Sequence, residues 1–385
     1  MASHGAPRTQ SVQHRSEQQK QKELDQIEKY NELVSQVNAK ASKHNAPVSP
    51  QHVRLTGLVQ IAERQYTTES LAQVSKLLAQ NPEYYTVWNH RRLILEHIFK
   101  DALASPPSAE EGLSSGQQLV FDHITGDLQF LVPLILKYPK CYWIWNHRIW
   151  LLQQSTELLP TGYARRLWQE ELGLVGKMLS RDSRNFHGWN YRRLVVLNLE
   201  ELPAQDTKSA SMVEPEFEYT TKMIKTNLSN FSAWHNRSKL IPRLLDERNA
   251  DGAARRKFMK SELELIQGAL YTDPYDQSLW FYHTFLMATL DQDSPRNARI
   301  VLDVDDGLRV AYLQEELDSI REMLDGAEDC KWIYQALLET AAALKVAKQE
   351  DAGLATEMTE WLSQLRKLDP LRSARWEDLS KKLKL

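Results

Sequence analysis

The sequence predicts an all-α protein, a right-handed α–α superhelix of about seven helical hairpins. The main observation behind this fold class is a tryptophan that recurs in one local context, at spacings of 57, 44, 45 and 46 residues: Trp88, Trp145, Trp189, Trp234 and Trp280. A period in this range is typical of stacked supersecondary units rather than of one compact core. In addition, no segment alternates between apolar and polar residues as a half-buried strand would.

Each copy of the repeat predicts a helix, a turn and a second helix. Relative to the tryptophan, position −6 is proline in three copies: Pro82, Pro139 and Pro274. Because proline lacks an N–H and its ring clashes with the carbonyl four residues earlier, it is expected to end the preceding helix. The tryptophan then lies in the first turns of the next helix. There it shares a face with positions +3 and +7 and is expected to pack inward.

Two further positions repeat with the tryptophan. Position −3 is aromatic in four copies, and the ring is expected to pack at the turn: Tyr85, Tyr142, Phe186 and Phe231. Position +3 is arginine in four copies: Arg91, Arg148, Arg192 and Arg237. Its guanidinium is expected to reach the open carbonyls at the end of the neighbouring helix, where the helix dipole favours a cation. We assign these tryptophans and arginines to the fold.

The repeats also predict how the chain is organised. Residues 1–15 are polar and without pattern, and they are expected to form a flexible tail. Residues 16–385 are expected to form a single helical-repeat domain, which begins with a charged helix over 16–44 and ends with degenerate copies at Trp332 and Trp376. Polar stretches predict three loops between helices, over residues 101–117, 201–211 and 291–307.

Composition argues against several classes of protein. A net charge of −3 at pH 7 provides no basic field for a nucleic acid. Two cysteines, Cys141 and Cys330, cannot form a disulfide framework, so a reducing compartment is expected, namely the cytoplasm. No apolar run approaches the roughly 20 residues of a transmembrane helix, and the polar N-terminus does not resemble a secretory signal.

The residues alone indicate no metal site in this chain. Zinc needs three or four converging Cys, His or carboxylate ligands. The histidines His90, His147 and His283 come one per repeat and are expected to be surface or packing residues. The acidic run over residues 303–306 has no matching acidic cluster, so it is expected to be a solvated loop that caps a helix. No glycine-rich phosphate loop and no nucleophile–base pair can be recognised.

The pattern Pro-x-x-Tyr-x-x-Trp-Asn-x-Arg closely resembles the repeat of protein prenyltransferase α subunits. The fit is loosest in copies four and five, which read Trp-His-Asn-Arg and Trp-Phe-Tyr-His. Within the family the chain is most similar to the members that belong to Rab geranylgeranyltransferase. The features behind this choice are the charged N-terminal helix, His4 with Gly5, the segment CKW at 330–332 and the closing LRKLDPLRSARWEDL.

The resemblance implies an obligate heterodimer. In this family the catalytic β subunit holds the zinc ion and the isoprenoid pocket, so this chain is expected to be inactive alone and to hold no cofactor of its own. The complex is expected to transfer geranylgeranyl from geranylgeranyl diphosphate to the C-terminal cysteines of Rab GTPases. A Rab escort protein is expected to present the substrate.

The resemblance also implies which residues face the active site of the β subunit. They are Lys140 and Tyr142, whose ammonium and phenol would stabilise the negative charge on the departing diphosphate. The corresponding residues of copy three, Arg184 and His187, are candidates for substrate binding. In the N-terminal tail, His4 is a candidate to visit the partner's zinc when no substrate is bound.

Two alternatives stay open. The chain also fits the α subunit shared by farnesyltransferase and type I geranylgeranyltransferase, which would act on CaaX peptides without an escort protein. Alternatively, it is a helical-repeat scaffold without a catalytic role, like an auxiliary subunit of an N-terminal acetyltransferase. A prenylation assay with and without escort protein distinguishes the first alternative from a Rab geranylgeranyltransferase subunit. The identity of the co-purifying partner distinguishes the second alternative from it.

Overall fold

The computed structural model describes residues 17–41, 66–104, 112–203, 211–348 and 352–385. Within these ranges every regular element is helical, which confirms the predicted all-α repeat class. The α-helices are α1 (Glu17–Ala41), α2 (Thr68–Gln80), α3 (Tyr85–Ala102), α4 (Ser115–Lys137), α5 (Tyr142–Leu158), α6 (Thr161–Arg181), α7 (Phe186–Glu201), α8 (Val213–Thr226), α9 (Phe231–Glu247), α10 (Gly252–Thr272), α11 (Gln277–Ala288), α12 (Asp306–Glu322), α13 (Lys331–Lys348), α14 (Ala352–Leu368) and α15 (Ser373–Leu383). The tail and His4 lie outside the described residues.

Seven successive helix pairs follow α1, from α2 with α3 to α14 with α15. Packing divides the chain into two compact units: residues 1–175 with 190–205, and residues 176–189 with 206–385. In the first unit the second helices α3 and α5 contact each other, and in the second unit α11 contacts both α9 and α13. The handedness of the array and its description as one domain stay predictions.

The repeated tryptophan is buried, as predicted. Its exposed fraction is 4% or less in all five copies. The first helix of each of these pairs ends eight residues before the tryptophan, whether position −6 is proline or, in copies three and four, Ser183 and Leu228. The turn therefore does not require the proline, because the helix ends at the same position without it.

A shared hydrogen bond accounts for the common turn. In each of the five copies the indole Nε1–H donates to the carbonyl six residues earlier, at 2.7–2.9 Å. In four copies the residue at −7 also accepts a hydrogen bond from the backbone N–H two residues later: Asn81, Asp182, Asn227 and Asp273. Such side-chain turns compete with continuation of the helix. The turn is thus encoded by the Asn or Asp and by the tryptophan together.

The sixth pair has a register different from the predicted one. The sequence centres this copy on Trp332, but the structure buries Tyr334 and leaves Trp332 partly exposed. The Tyr334 hydroxyl donates to the carbonyl of Glu328, six residues earlier, at 2.9 Å. This is the contact that the indole makes in the other copies, and a phenol supplies the same combination of a large apolar ring and one donor. Tyr334 therefore occupies the tryptophan position.

The described contacts of Arg91, Arg148 and Arg237 are not with helix-end carbonyls, so the prediction was wrong for these three copies. The carbonyls that Arg91 and Arg148 reach, those of Leu71 and Leu128, lie inside helices. In these three copies the guanidinium instead pairs with a buried carboxylate on the first helix of the following repeat. The described pairs are Arg91–Asp127, Arg148–Glu171 and Arg237–Glu262. The prediction failed because a buried guanidinium needs a counter-charge, which a carbonyl cannot supply.

The carboxylates form a repeating series of their own. Each lies 18 residues before the buried tryptophan or tyrosine of its own repeat, and all are buried: Asp127, Glu171, Glu216, Glu262 and Glu316. In repeat five, His283 replaces the +3 arginine, and its Nε2 lies 2.9 Å from a Glu316 carboxylate oxygen. Tyr191 and Tyr282 donate to Glu171 and Glu262 from within the same repeat. Asp127, Glu171 and Glu262 therefore each join two successive second helices.

One helix in the described ranges, α4, is long and apolar enough to cross a membrane by length and composition alone. The sequence analysis did not single it out. In the fold, α4 contacts α3 and α5 and carries the buried Asp127. Its apolar residues form the core of the second repeat.

Candidate functional site

The turn between α4 and α5 brings Lys140 and Tyr142 together at the start of α5. Lys140 is exposed, and Tyr142 is the first residue of the helix, with 53% of its surface exposed. The N-cap residue, Cys141, makes no side-chain capping bond. The backbone N–H groups of Trp143 and Ile144 face the Cys141 thiol and lower its pKa by less than burial raises it, and the start of α5 carries a partial positive charge next to the Lys140 ammonium. This turn is suited to an anion.

Cys141 itself points into the protein rather than towards this turn's surface. Its Sγ donates to the carbonyl of Pro82 in the preceding repeat, at 3.4 Å. Burial raises the pKa of the Cys141 thiol to about 11. The thiol is therefore protonated at neutral pH and is not a nucleophile.

A chain of hydrogen bonds runs from the Tyr142 hydroxyl into the core of the same unit. Asn146 Nδ2 donates to the Tyr142 hydroxyl oxygen at 3.0 Å. Arg92 Nη2, from the preceding repeat, donates to Asn146 Oδ1 at 2.8 Å. Arg92 Nε also lies 3.4 Å from His147 Nδ1. His147 Nε2 in turn lies 2.8 Å from Asp127 Oδ2. The exposed phenol is thus connected to a buried ion pair.

At the inner end of this series of hydrogen bonds, the negative charge of Asp127 is balanced by the positive charge of Arg91. Burial would raise the pKa of Asp127, but the Arg91 guanidinium and the hydrogen bond from His147 outweigh it and hold that pKa well below its usual range. Burial lowers the pKa of His147 to about 4, so its imidazole is neutral at pH 7. Since Arg92 only donates, His147 Nδ1 accepts and Nε2–H donates to Asp127. The tautomer is fixed by its two neighbours.

The copy-three candidates, Arg184 and His187, lie at the start of α7 in the second unit. Arg184 is exposed, and its backbone N–H donates to Asp182 Oδ1 at 3.4 Å. The His187 ring lies 4.0 Å from the ring of Phe186, centroid to centroid, and its backbone N–H donates to Asn185 Oδ1. Their assignment to substrate binding stays a prediction.

The aromatic residues at −3 are exposed, whereas the sequence analysis expected them to pack. Their exposed fractions are 43–66% for Tyr85, Tyr142, Phe186 and Phe231. In the first unit Trp143 lies between the rings of Tyr85 and Tyr142, at centroid distances of 5.4 and 5.3 Å. In the second unit Phe281 lies between Phe231 and Trp332, at 5.9 and 6.4 Å. Both units therefore expose a row of aromatic rings at the helix starts, which we call the aromatic rows.

The positions that connect the site to the core were not identified from the sequence. Arg92 and Asn146 read as ordinary members of the repeat, and Asp127 lies in an apolar helix. The signal for the buried acids was available, because they keep a constant spacing of 18 residues from the repeated aromatic residue. Within the described ranges, no group of three or more His, Cys, Asp or Glu side chains is arranged to hold a metal ion.

Comparisons with known proteins agree on one kind of relative. The repeat described as "protein prenyltransferase alpha subunit repeat" matches five segments: residues 68–98, 124–155, 168–199, 213–244 and 259–290. The geranylgeranyl transferase type-2 subunit alpha of Candida albicans is 34% identical over 340 residues, which cover 82% of this chain and 86% of that protein. The Saccharomyces cerevisiae protein of the same name is 34% identical over 320 residues, covering 82% and 85%. The one from Schizosaccharomyces pombe is 30% identical over 352 residues, covering 89% and 94%.

Proposed function

The chain belongs to the family of protein prenyltransferase α subunits, and on this premise we propose that it is the α subunit of a type-2, or Rab, geranylgeranyltransferase. The assignment to type 2 rests on the similarity to the type-2 α subunits, and the proposed part that the chain takes in the reaction rests on the turn with Lys140 and Tyr142. It combines an exposed ammonium, an exposed phenol and the uncapped start of α5. Such a turn is suited to the diphosphate of an isoprenoid donor.

The chain acts as one half of a heterodimer and is inactive alone. Its partner is a catalytic β subunit, which holds zinc and the isoprenoid pocket and forms the complex in the cytoplasm. The aromatic rows support this proposal, because exposed aromatic side chains are enriched at protein interfaces and rare in such numbers on free surfaces. Zinc on the partner would lower the pKa of the substrate thiol and so supply a thiolate at neutral pH.

The reaction transfers a geranylgeranyl group to a Rab cysteine. The cysteine sulfur forms a bond to C1 of the isoprenoid while the bond from C1 to the diphosphate oxygen breaks, and the thiol proton leaves to solvent. Negative charge therefore builds on the diphosphate. The Lys140 ammonium, the Tyr142 O–H and the first N–H groups of α5 stabilise that charge in the transition state.

The substrates of the complex are Rab GTPases presented by a Rab escort protein. This part of the proposal rests on the resemblance to the α subunits of Rab geranylgeranyltransferase. Transfer to a Rab that requires the escort protein would support it. Transfer to a CaaX peptide without an escort would instead identify the α subunit of farnesyltransferase or type I geranylgeranyltransferase. Co-purification with an acetyltransferase would identify the scaffold alternative.

The test of the site is single-turnover transfer by the purified heterodimer with Lys140→Ala. We expect the rate to fall by about 10²-fold or somewhat less, because the partner's site supplies further cations, while affinity for the isoprenoid diphosphate is nearly unchanged. Lys137→Ala is the matched control. It removes a nearby lysine, the last residue of α4, which lies just before the turn. A Lys140→Ala rate within twofold of the parent would contradict the proposed role.

A further inference from the structure

A cavity of about 220 Å³ lies between α11, α12 and α13 in the second unit. It is lined from α11 by Thr284 and Ala288, from α12 by Leu313 and from α13 by Thr340. Thr284 and Ala288 are exposed, so the cavity opens to solvent beside α11. An engineered cavity of about 150 Å³ holds one benzene molecule. The space between these helices is therefore large enough for one aromatic ring with a substituent.

The cavity lies where other repeats carry rings. In copies two and five, positions +2 and +5 of the second helix hold two rings that lie against each other, at centroid distances of 5.3 and 5.9 Å: His147 with Trp150, and Tyr282 with Phe285. In the sixth pair, counted from Tyr334, the same positions are Ala336 and Glu339, and both line the cavity. The space therefore accompanies the loss of these rings from the sixth pair.

The ring at +2 also carries a hydrogen-bond donor. In three copies it donates to the buried acid of its own repeat: His147 to Asp127, Tyr191 to Glu171 and Tyr282 to Glu262. Glu316, the acid of the sixth pair, accepts instead from His283 and Gln267 of the preceding repeat, at 2.9 and 2.7 Å. His283 lines the cavity. The sixth pair thus lacks both the ring and the donor that the ring brings.

An oxygen of these acids can accept from a second donor. Glu171 Oε2 accepts from Arg148 Nε and from the Tyr191 hydroxyl at the same time. Among the described residues, Glu316 Oε2 is bonded to His283 alone. A ring that entered the cavity with its own hydroxyl would restore the pattern of the other repeats.

The charges around the cavity favour a neutral ligand that donates. Asp291, Arg309 and Glu339 line it, and none of the three is fully buried. Two carboxylates against one guanidinium disfavour an anion, and carboxylates only accept hydrogen bonds. A phenol meets both requirements, because it keeps its proton at neutral pH and combines an apolar ring with one donor.

We propose that this cavity is a binding site for a phenol ring, which enters between α11 and α13. The ring is that of a small phenolic molecule or of a tyrosine in another polypeptide. The site lies in the second unit, away in sequence from Lys140 and Tyr142, and does not depend on the proposed transfer reaction.

The test is a titration of the purified full-length chain, with any bound partner retained, with p-cresol, observed by the NMR signals of the ligand and by the midpoint of thermal unfolding. We expect a dissociation constant below about 1 mM and a concentration-dependent rise of the midpoint. Toluene, which lacks the hydroxyl, should bind at least about fivefold more weakly. No saturable binding of p-cresol below about 10 mM would overturn the proposal. Equal binding of toluene would overturn it as well, because the site would then not select a phenol.

Ala336→Tyr returns the phenol of the repeat to position +2 and should weaken p-cresol binding at least about tenfold, since the ring occupies the cavity. Ala342→Tyr places the same ring on α13 at a partly exposed position that does not line the cavity, and should bind p-cresol like the parent. Ala343→Leu narrows the cavity by a smaller change and gives an independent measurement if Ala336→Tyr does not fold. Parent-like binding by a folded Ala336→Tyr or by Ala343→Leu would place the ligand elsewhere and overturn the proposal.

A second titration distinguishes the two sources of the ring. N-acetyltyrosinamide carries the same phenol on a backbone. If it binds as tightly as p-cresol, and Ala336→Tyr weakens both, the site takes a tyrosine of a polypeptide. If it binds at least about tenfold more weakly than p-cresol, the site takes a small phenolic molecule.

Discussion

At the scale of single residues, burial decides what each titratable group does. Asp127 stays ionised inside α4 because Arg91 and His147 both donate to it. A buried carboxylate without such partners would be protonated or would destabilise the fold by several kcal/mol. The sequence analysis expected His147 to be a packing or surface residue, and the structure shows it fully buried in this cluster. The sequence did not indicate its partner, because Asp127 is 20 residues away on another helix.

The depressed pKa of His147 predicts a pH dependence of stability. In the unfolded chain His147 takes up a proton near its ordinary pKa of 6.5, and in the folded protein only near pH 4, chiefly because it is buried. Between these values the unfolded state binds more protons. The free energy of unfolding should therefore fall as the pH falls from 6.5 to 4, by on the order of 3 kcal/mol.

His147→Gln isolates this contribution, because glutamine keeps a donor for Asp127 but does not titrate. The measurement is the midpoint of thermal unfolding of the heterodimer at several pH values, for the parent and for the variant. The parent should lose more stability across the window than the variant. Equal pH dependence in the two proteins would show that His147 does not titrate between the folded and unfolded states as stated.

At the scale of the helix pair, most of the architecture was predictable from one period. The repeated tryptophan, the turn and the helix that follows are local features, so a pattern of fixed spacing identifies them. The register of the sixth pair was not predictable from the tryptophan pattern, because Trp332 lies only two residues from Tyr334. The exposed rings at −3 were also misjudged. An aromatic residue that recurs in a repeat suggests a core position. The sequence alone does not show that such a ring faces the surface of a partner instead.

The corrected register gives a paired prediction for stability. Trp145→Ala and Tyr334→Ala should each destabilise the fold by roughly 3–5 kcal/mol, the usual cost of deleting a large buried aromatic ring. Trp332→Ala should cost less than about 1 kcal/mol, since its ring is partly exposed. Chemical denaturation of the complex measures all three. If Trp332→Ala lowered the free energy of unfolding more than Tyr334→Ala does, Trp332 would hold the core position and the register expected from the sequence would be correct.

At the scale of the whole molecule, the proposed function gives this chain a framework and one electrostatic turn and assigns the remaining chemistry to a partner. We expect the isolated chain to transfer no isoprenoid and to bind no stoichiometric zinc, because its cysteines lie in separate repeats and both are buried. Metal analysis and a transfer assay of the separately purified chain measure this. One tightly bound zinc per molecule would contradict the division of labour between the subunits.

The series of buried carboxylates also bears on self-association. Pairs two to five each carry an acid on the first helix and an arginine or histidine at position +3 of the second, a head-to-tail match that could in principle continue from one molecule to the next. The outermost pairs do not offer it. The acid position is Ser70 in the first pair and Met358 in the last, and position +3 of the last pair is Leu379. In addition, Asn81 in the first pair donates to the Tyr30 hydroxyl of α1. Without an acid in the first described pair or a cation in the last, this particular charge pairing cannot join the last pair of one molecule to the first pair of the next.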